Sequence, residues 1–186
     1  MSLLDIRVFG DPVLRKETTV VPAVTDDILR LVDDLFETMY GAKGIGLAAP
    51  QVGRLERLAV LDVHEGKPFA IINPEIVYEE GAEKGEEGCL SIPEVYGDVE
   101  RSQFVRVRAL DRDGKELELE GDDLLARCLQ HEIDHLHGKL FLDYFSLLKR
   151  RSALAKWEKM KRDYPELRRK VSPEVIADHH DGEEPL

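Results

Sequence analysis

Two histidines four residues apart, with a glutamate between them, are the strongest chemical signal in this sequence, whose residues 130–135 read QHEIDH. In an α-helix, residues four apart lie on the same face, so His131 and His135 can direct their imidazoles at one position. Two imidazoles on one face suit zinc or a similar divalent ion. Glu132, one residue round the helix, can reach a water bound to that ion. A carboxylate beside a metal-activated water is typical of a hydrolase.

A catalytic metal of this kind usually has three protein ligands and one open position, and the sequence offers three sources for the third ligand. In zinc proteases with the longer pattern HExxHxxG another histidine follows, but Phe141 occupies that position here. Glu158 has a suitable spacing, although the lysines around it favour a solvated helix face. Cys89, in the stretch EGCLS, can supply a thiolate from a second element, but burial as a small core residue is the usual fate of a cysteine. The residues alone leave this choice open.

Length and composition indicate one globular domain. The 186 residues are 42% hydrophobic and 34% charged, which are ordinary values for a globular protein. A net charge of −12 argues against nucleic-acid binding as the main function, because phosphates need a basic surface. We find no apolar run long enough for a membrane span, no secretory signal, and too few cysteines for a disulfide scaffold. We therefore expect a reduced, cytoplasmic protein.

The hydrophobic pattern predicts the elements that position these residues. Apolar residues at helical spacing, bounded by capping residues, predict helices at about 26–41, 123–138 and 147–162. Strand-like segments occur at 58–63, 69–72, 76–78, 105–110 and 117–119. The last two flank the turn DRDG and predict a hairpin. We expect an α+β fold in which antiparallel β-sheets pack around a central helix carrying HExxH, with an N-terminal and a C-terminal helix.

We expect a single catalytic domain in residues 1–168. Residues 169–186 are rich in Asp, Glu, Pro and His, and this composition predicts an acidic, disordered C-terminal tail.

Three motifs in a fixed order resemble those of the peptide deformylases. They are GIGLAAPQ at 44–51, EGCLS at 87–91 and QHEIDHLHG at 130–138. FGDPVLR at 9–15 and GKLF at 138–141 support the resemblance at its ends. It covers most of the chain, from about Ile6 to the third helix, and the short spacing between the first two motifs resembles the compact bacterial type.

The resemblance implies that Cys89, His131 and His135 hold one divalent metal ion. In the family this ion is usually Fe²⁺, and Zn²⁺, Ni²⁺ or Co²⁺ can take its place. The implied reaction removes the N-formyl group from the initiator methionine of nascent polypeptides and releases formate. The implied partners are nascent N-formyl-methionyl peptides and, through the basic third helix, the ribosome surface. We expect a monomer that does not bind membranes.

The resemblance also assigns catalytic roles. Glu132 takes a proton from the attacking water and returns it to the departing amine. Negative charge on the formyl oxygen is stabilised by the side-chain amide of Gln51 and the backbone N–H of Leu90. Gly46 lets its backbone lie against the substrate peptide in the manner of an added strand.

The methionine side chain needs an apolar pocket. Counting back along the helix from His131 places Leu124 and Cys128 on the same face, and we predict that they form the pocket wall with Ile45. Gly44 and Gly88 are assigned to the same pocket. Ordinary core packing is the competing interpretation of Cys128.

Two charged side chains near these motifs have predicted supporting roles. The stem of Arg127 is expected at the pocket rim, with its charge reaching solvent or a carboxylate. Glu86 and Arg101 are predicted to pair and brace the cysteine loop.

Two other functions compete with deformylation. A zinc endopeptidase of HExxH type would need Glu158 as its third ligand. A catalytically silent binding module would have no need of Glu132.

Overall fold

A computed structural model describes residues 2–63 and 67–172 and has three α-helices and nine β-strands within them. In chain order the helices are α1 (Asp26–Gly41), α2 (Asp123–Leu136) and α3 (Leu147–Met160). The strands are β1 (Ile6–Arg7), β2 (Gly46–Ala48), β3 (Leu58–Leu61), β4 (Phe69–Glu80), β5 (Glu83–Cys89), β6 (Ile92–Arg101), β7 (Phe104–Leu110), β8 (Glu116–Asp122) and β9 (Arg168–Arg169). The predicted α+β class with antiparallel sheets and three helices is confirmed.

The largest sheet has five strands in the order β2-β3-β4-β7-β8, and every pair in it is antiparallel. Two segments predicted as separate strands, 69–72 and 76–78, belong to the single long strand β4. Its register against β7 shifts between Ile72 and Glu75, where Asn73 has a positive φ of 52°. This irregularity breaks the apolar pattern, which is why the sequence shows two short strands in place of one.

A separate hairpin of β5 and β6 was not predicted. Residues 83–89 read EKGEEGC, so β5 lacks the alternation of apolar and polar residues that marks a half-buried strand. β6 buries alternate residues against α3 and the N-terminal segment, and this face holds the hairpin on the domain. The hairpin matters for function because Cys89 lies at the end of β5.

Helix α1 forms as its pattern predicts. The hydroxyl of Thr25 accepts a hydrogen bond from the backbone N–H of Ile28, and Asp26 and Asp27 lie in the first turn, where negative charge is favourable. Its apolar stripe is buried against β2 and β3. Removing this stripe from water stabilises one half of the core.

Helix α2 carries the histidine pair and contacts β2, β3, β7 and β8. Its apolar residues, including Leu129 and Ile133, pack into a second buried cluster with those strands. Gly138 follows the helix with φ of +68°, the left-handed conformation that ends many helices. This packing fixes the rotation of α2 and therefore the direction in which His131 and His135 point.

The chain after α3 returns to the domain. Two short 3₁₀ turns lead to β9, where Arg169 lies opposite Ile6 of β1, and Val171 packs against the α1 core. The predicted tail boundary at residue 169 therefore falls within β9. Residues 173–186 lie outside the described residues, and the domain division stays a prediction. Within the described residues, no helix is both long and apolar enough to cross a membrane.

Candidate metal centre

Three potential ligand atoms meet between α2 and the end of β5. The Sγ of Cys89 lies 3.4 Å from Nε2 of His135, which lies 3.2 Å from Nε2 of His131. One ligand atom from each residue lies within 4.8 Å of the other two. A thiolate and two imidazoles form a donor set that suits Zn²⁺ or Fe²⁺, so the residues present fit a divalent ion.

Each element contributes to this meeting by its local geometry. One helical turn separates His131 from His135, so their rings lie next to each other with centroids 5.0 Å apart. The β5–β6 ladder shifts register between Glu87 and Cys89, and Cys89 then pairs with Ile92. Such an irregularity redirects a side chain, and here the Sγ of Cys89 lies against the histidines on α2.

The orientation of His131 is set by a buried carboxylate. Its Nδ1 lies 2.9 Å from Oε2 of Glu87, so Nδ1–H is donated to Glu87 and Nε2 is left for the cluster. Arg101 donates to both oxygens of Glu87 at 2.8 and 3.0 Å. Burial alone would raise the pKa of Glu87, but the hydrogen bonds with His131 and Arg101 outweigh it and lower the pKa to about 2. The carboxylate is therefore ionised at neutral pH.

The predicted pair of Glu86 and Arg101 is wrong by one residue. Glu86 is exposed, whereas Glu87 is buried and pairs with Arg101, because successive side chains of a strand point to opposite faces. Arg127 lines the adjacent cleft and donates to Oε1 of Glu87 at 2.9 Å. The expectation that its charge reaches a carboxylate is thus met.

The carboxylate of Glu132 is buried beside the cluster. Burial raises its pKa to about 7, and its Oε2 has no hydrogen-bond partner in the described part of the chain. Gly46 gives it room, since a Cβ at that position would collide with Oε1 of Glu132 and lie 3.0 Å from Sγ of Cys128. A side chain at residue 46 would therefore displace Glu132 of α2 as well as narrow the cleft.

The side-chain amide of Gln51 is buried and held at both ends. Its Oε1 accepts from the backbone N–H of Ala48 at 2.9 Å, and its Nε2 donates to Oγ of Ser91 at 3.1 Å. Nε2 also lies 3.7 Å from Sγ of Cys89. Its two N–H groups thus reach Ser91 and the sulfur of Cys89, so the second N–H points at the cluster.

These residues open onto one large cleft with a volume of about 610 Å³. The predicted positions that line it are Gly44, Ile45, Gly46, Gln51, Gly88, Cys89, Leu90, Leu124, Cys128, His131 and Glu132. Cys128 is buried at the wall, whereas Leu124 is 48% exposed and lies towards the mouth. The backbone approaches its neighbours closely at Gly44, where a Cβ would lie 2.6 Å from Cδ1 of Leu90.

Sequence reasoning missed part of this lining. Tyr96 packs over Gly88, where a Cβ would lie 2.7 Å from its ring. Tyr164 and Arg169 reach the cleft from the C-terminal segment, together with Lys43 from the loop before β2. No motif marks these residues, because their place in the cleft depends on how distant segments pack.

The other proposed third ligands do not join the cluster. Phe141 is buried with its ring centroid 6.2 Å from that of His131. Glu158 is exposed on α3 and pairs with Lys161 at 3.7 Å. Among the described residues, Cys89, His131 and His135 are the one group of three that could hold a metal ion.

Known proteins share this arrangement of sequence and fold. A family model described as polypeptide deformylase matches residues 3–151. A peptide deformylase of Alkalilimnicola ehrlichii is 55% identical over 165 residues, which cover 87% of this chain and 93% of that protein.

Two solved structures agree with this finding. The crystal structure of a peptide deformylase from Legionella pneumophila superposes with a TM-score of 0.84 at 47% identity, covering 87% of this chain and 96% of that chain. The crystal structure of peptide deformylase from Ehrlichia chaffeensis in complex with actinonin gives a TM-score of 0.83 at 43% identity, covering 87% of this chain and 99% of that chain. Tyr164 and Arg169 lie beyond the residues that the family model matches.

Proposed function

Since this chain belongs to the polypeptide deformylase family, we propose that it is the hydrolase that removes the N-formyl group from the initiator formyl-methionine of nascent polypeptides and releases formate. The observation that carries this proposal is the cluster of Cys89, His131 and His135 with the unpartnered carboxylate oxygen of Glu132 beside it. A metal-dependent amide hydrolase needs both an ion site and a proton acceptor, and both are present beside α2.

Cys89, His131 and His135 would hold one divalent ion, with Fe²⁺ as the native ion and Zn²⁺, Ni²⁺ or Co²⁺ as substitutes. The fit rests on the donor set and on the ionised Glu87, which keeps Nε2 of His131 directed at the cluster. When bound, the ion would act as a Lewis acid that makes a water acidic and polarises the formyl carbonyl.

Glu132 would move the proton. Its carboxylate is buried next to His131, and one of its oxygens makes no hydrogen bond within the described residues. It can therefore accept a proton from the attacking water and pass it to the departing amine.

Gln51 and Leu90 would stabilise the negative charge that develops on the formyl oxygen. The amide of Gln51 is fixed by Ala48 and Ser91, so its second N–H, which lies against Sγ of Cys89, is already directed at the cluster where the formyl oxygen would bind. The backbone N–H of Leu90, next to Cys89, would be the second donor. Both donors are uncharged, which suits a site that already holds a cation.

The substrate backbone would pair with the open edge of β2, which has a neighbouring strand on only its other side. The carbonyl of Ile45 accepts from the N–H of Asp62 and so points towards β3. Backbone groups alternate between the two edges of a strand, so those of Gly46 point towards the cleft, whereas the N–H of Gly44 donates to the carbonyl of Met39 at 2.9 Å. An extended peptide can add there as a further strand.

The methionine side chain would enter the apolar part of the cleft. Ile45 and Cys128 would form its wall, Leu124 its mouth, and Gly44 and Gly88 would leave room for backbone. Packing of a thioether against these surfaces is favourable and tolerant of shape.

We place the enzyme in the cytoplasm, as a monomer that acts on emerging chains. The basic residues of α3 would face the ribosome surface. Helix α2 would be the central helix of the fold, which is supported by its contacts with β2, β3, β7 and β8.

The zinc endopeptidase is not favoured. Its third ligand would have to be Glu158, which is exposed on α3, and the family match points to deformylation.

The test is formate release from formyl-Met-Ala-Ser by protein loaded anaerobically with Fe²⁺. Acetyl-Met-Ala-Ser is the control. Its acetyl group has a methyl where the formyl group has a hydrogen, so it tests whether the space around the reacting carbonyl admits only the smaller group. Formate from the first peptide without acetate from the second supports the proposal. No formate from protein with bound metal, or cleavage within the peptide that survives Cys89→Ser, would refute it.

A further inference from the structure

A second, smaller cavity adjoins the cleft. It has a volume of about 210 Å³ and is lined by residues 41–43 at the end of α1 and by residues 169–172 of the C-terminal segment. Ala42, Lys43 and Arg169 line both cavities, so the two lie side by side. Arg169 marks the junction, since its Nη1 donates to the carbonyl of Leu90 at 3.5 Å.

The charge of this cavity is opposite to that of the protein. Lys43, Arg169 and Lys170 line it, and none of its lining residues within the described chain is acidic. The neighbouring Arg168 lies near Asp5 and Glu166, whereas no ion pair with Lys43, Arg169 or Lys170 occurs among the described residues. A chain with net charge −12 thus holds three cations in one small concave site. Such a site would attract a carboxylate or another anion.

The acidic side chains of the cleft lie on other elements. Glu86 and Glu94 line the large cleft from the β5–β6 hairpin, whereas the cations belong to the α1–β2 loop and the C-terminal segment. Arg127 also lines the cleft, but its charge is paired with Glu87. Within the described residues, Lys43 and Arg169 are the cleft cations without an ion pair.

The order of the residues from Gly46 back to Lys43 indicates which part of a bound peptide lies near Lys43 and Arg169. With the methionine backbone at Gly46, where β2 begins, an antiparallel peptide runs on past Ile45 towards Gly44 and Lys43, which form the turn after α1 and also line the cleft. Because successive side chains of an extended peptide point to opposite faces, one of the third and fourth side chains would face the small cavity.

We propose that Lys43 and Arg169, with Lys170, form a binding site for an acidic side chain at the third or fourth residue of the formylated peptide, and so give this enzyme a preference for acidic N-terminal sequences. The inference rests on the proposed deformylase function and adds a substrate class to it. The preference comes from local contacts, because the overall negative field of the protein opposes an acidic peptide.

The test compares three peptides with amidated C-termini, so that no terminal carboxylate interferes: formyl-Met-Ala-Glu-Glu-Ser, formyl-Met-Ala-Ser-Ser-Ser and formyl-Met-Ala-Lys-Lys-Ser. We expect kcat/KM for the glutamate peptide to exceed that for the lysine peptide by about threefold to tenfold at low ionic strength, mainly through KM. The ratio should fall towards one as salt screens the charges.

Variants locate the effect. Lys43→Gln and Arg169→Gln should each lower the glutamate-to-lysine ratio, and the double variant should bring it close to one. Lys43→Gln is the decisive single change, because Arg169 also contacts the Leu90 carbonyl. Lys115→Gln is the matched control: it removes the same charge from the exposed turn between β7 and β8 and should leave the ratio unchanged.

The possible results distinguish failure of the acidic-peptide site from failure of the proposed deformylase function. Deformylation of the serine peptide with a wild-type ratio near one would keep the proposed function and overturn the acidic site. A ratio that Lys115→Gln lowers as much as Lys43→Gln would also overturn it, since net charge would then be the cause. Inhibition by a short RNA without any peptide preference would assign the cavity to phosphate groups and refute the peptide site.

Discussion

The position of the Glu132 carboxylate depends on the absence of a side chain at residue 46. Gly46 has no Cβ, so the carboxylate can lie against the β2 backbone next to Cys128. A buried carboxylate with one unpartnered oxygen is unfavourable for folding, and such groups are found where a reaction needs them.

Replacing Glu132 with Ala should therefore separate chemistry from metal binding. We expect the rate of formate release to fall by about 10²–10⁴-fold, because the proton acceptor is lost, while bound metal per chain stays at the wild-type value. Formate assays and elemental analysis of the same samples check this. Equal loss of metal and activity would contradict the proton-transfer role.

Glu87 and Glu86 provide a matched pair one residue apart. Glu87→Gln should weaken metal binding by about 10–100-fold, because His131 loses the charged acceptor that orients it and Arg101 and Arg127 lose their shared partner. Glu86→Gln, at an exposed position, should leave the affinity close to wild type. Competition with a metal chelator measures both. The same affinity in the two variants would contradict a positioning role for Glu87.

The histidine pair could be found from sequence, whereas its carboxylate partner could not. Spacing on a helix depends only on the local turn, so His131 and His135 were placed side by side correctly. Which of two adjacent glutamates points inward depends on the register of a strand that packs on distant residues. The prediction of Glu86 is wrong and Glu87 is the partner, because a shift of one residue reverses the faces of a strand.

The helices were more predictable than the hairpin for a similar reason. α1 has its cap and apolar stripe within 17 residues of sequence. β5 has charges at most positions, and its fold depends on pairing with β6 and on contacts with α2. The C-terminal wall of the cleft could not be predicted either, because Arg169 comes to the cleft through the pairing of β9 with β1, and Tyr164 through its stacking on Trp157.

Helix α3 is held by one large side chain. Trp157 is its only buried residue, and its ring packs edge-on against Phe9 and stacks on Tyr164 at centroid distances of 6.5 and 5.6 Å. We expect Trp157→Ala to lower the free energy of unfolding by about 3–5 kcal/mol, because a large cavity would remain. Leu148→Ala, on the same helix at an 82% exposed position, should change it by less than about 0.5 kcal/mol. Urea unfolding of both variants is the measurement, and equal effects would contradict the anchoring role of Trp157.

The N-terminal segment is tied to the chain beyond α2 by an ion pair. Arg15 donates to both carboxylate oxygens of Asp143 at 2.7 and 3.0 Å. Burial alone would raise the pKa of Asp143, but the hydrogen bonds from Arg15 and from the backbone N–H of Leu140 outweigh it, and the net pKa lies below the ordinary value for aspartate.

A lowered pKa fixes the sign of the pH dependence. The folded state binds the Asp143 proton more weakly than the unfolded state, so the stabilisation is present above the ordinary aspartate pKa and is lost as pH falls through the folded value. Asp143→Asn should therefore lower the free energy of unfolding at pH 7 by less than about 1 kcal/mol, and the difference from wild type should shrink below about pH 4. Urea unfolding at several pH values measures it, with Asp113→Asn in an exposed turn as the control for net charge. A difference that grows on acidification would contradict the assignment.

The two edge strands of the five-stranded sheet, β2 and β8, resist pairing with a second molecule in different ways. At one edge, β8 presents Glu116, Glu118 and Glu120 as exposed side chains, and a row of like charges repels a second copy of the same strand. The other edge, β2, is only three residues long, so it offers too little backbone to seed the stacking of one molecule on another. If β2 receives the substrate peptide as proposed, its shortness would let the protein keep that edge open and still remain dispersed at high concentration.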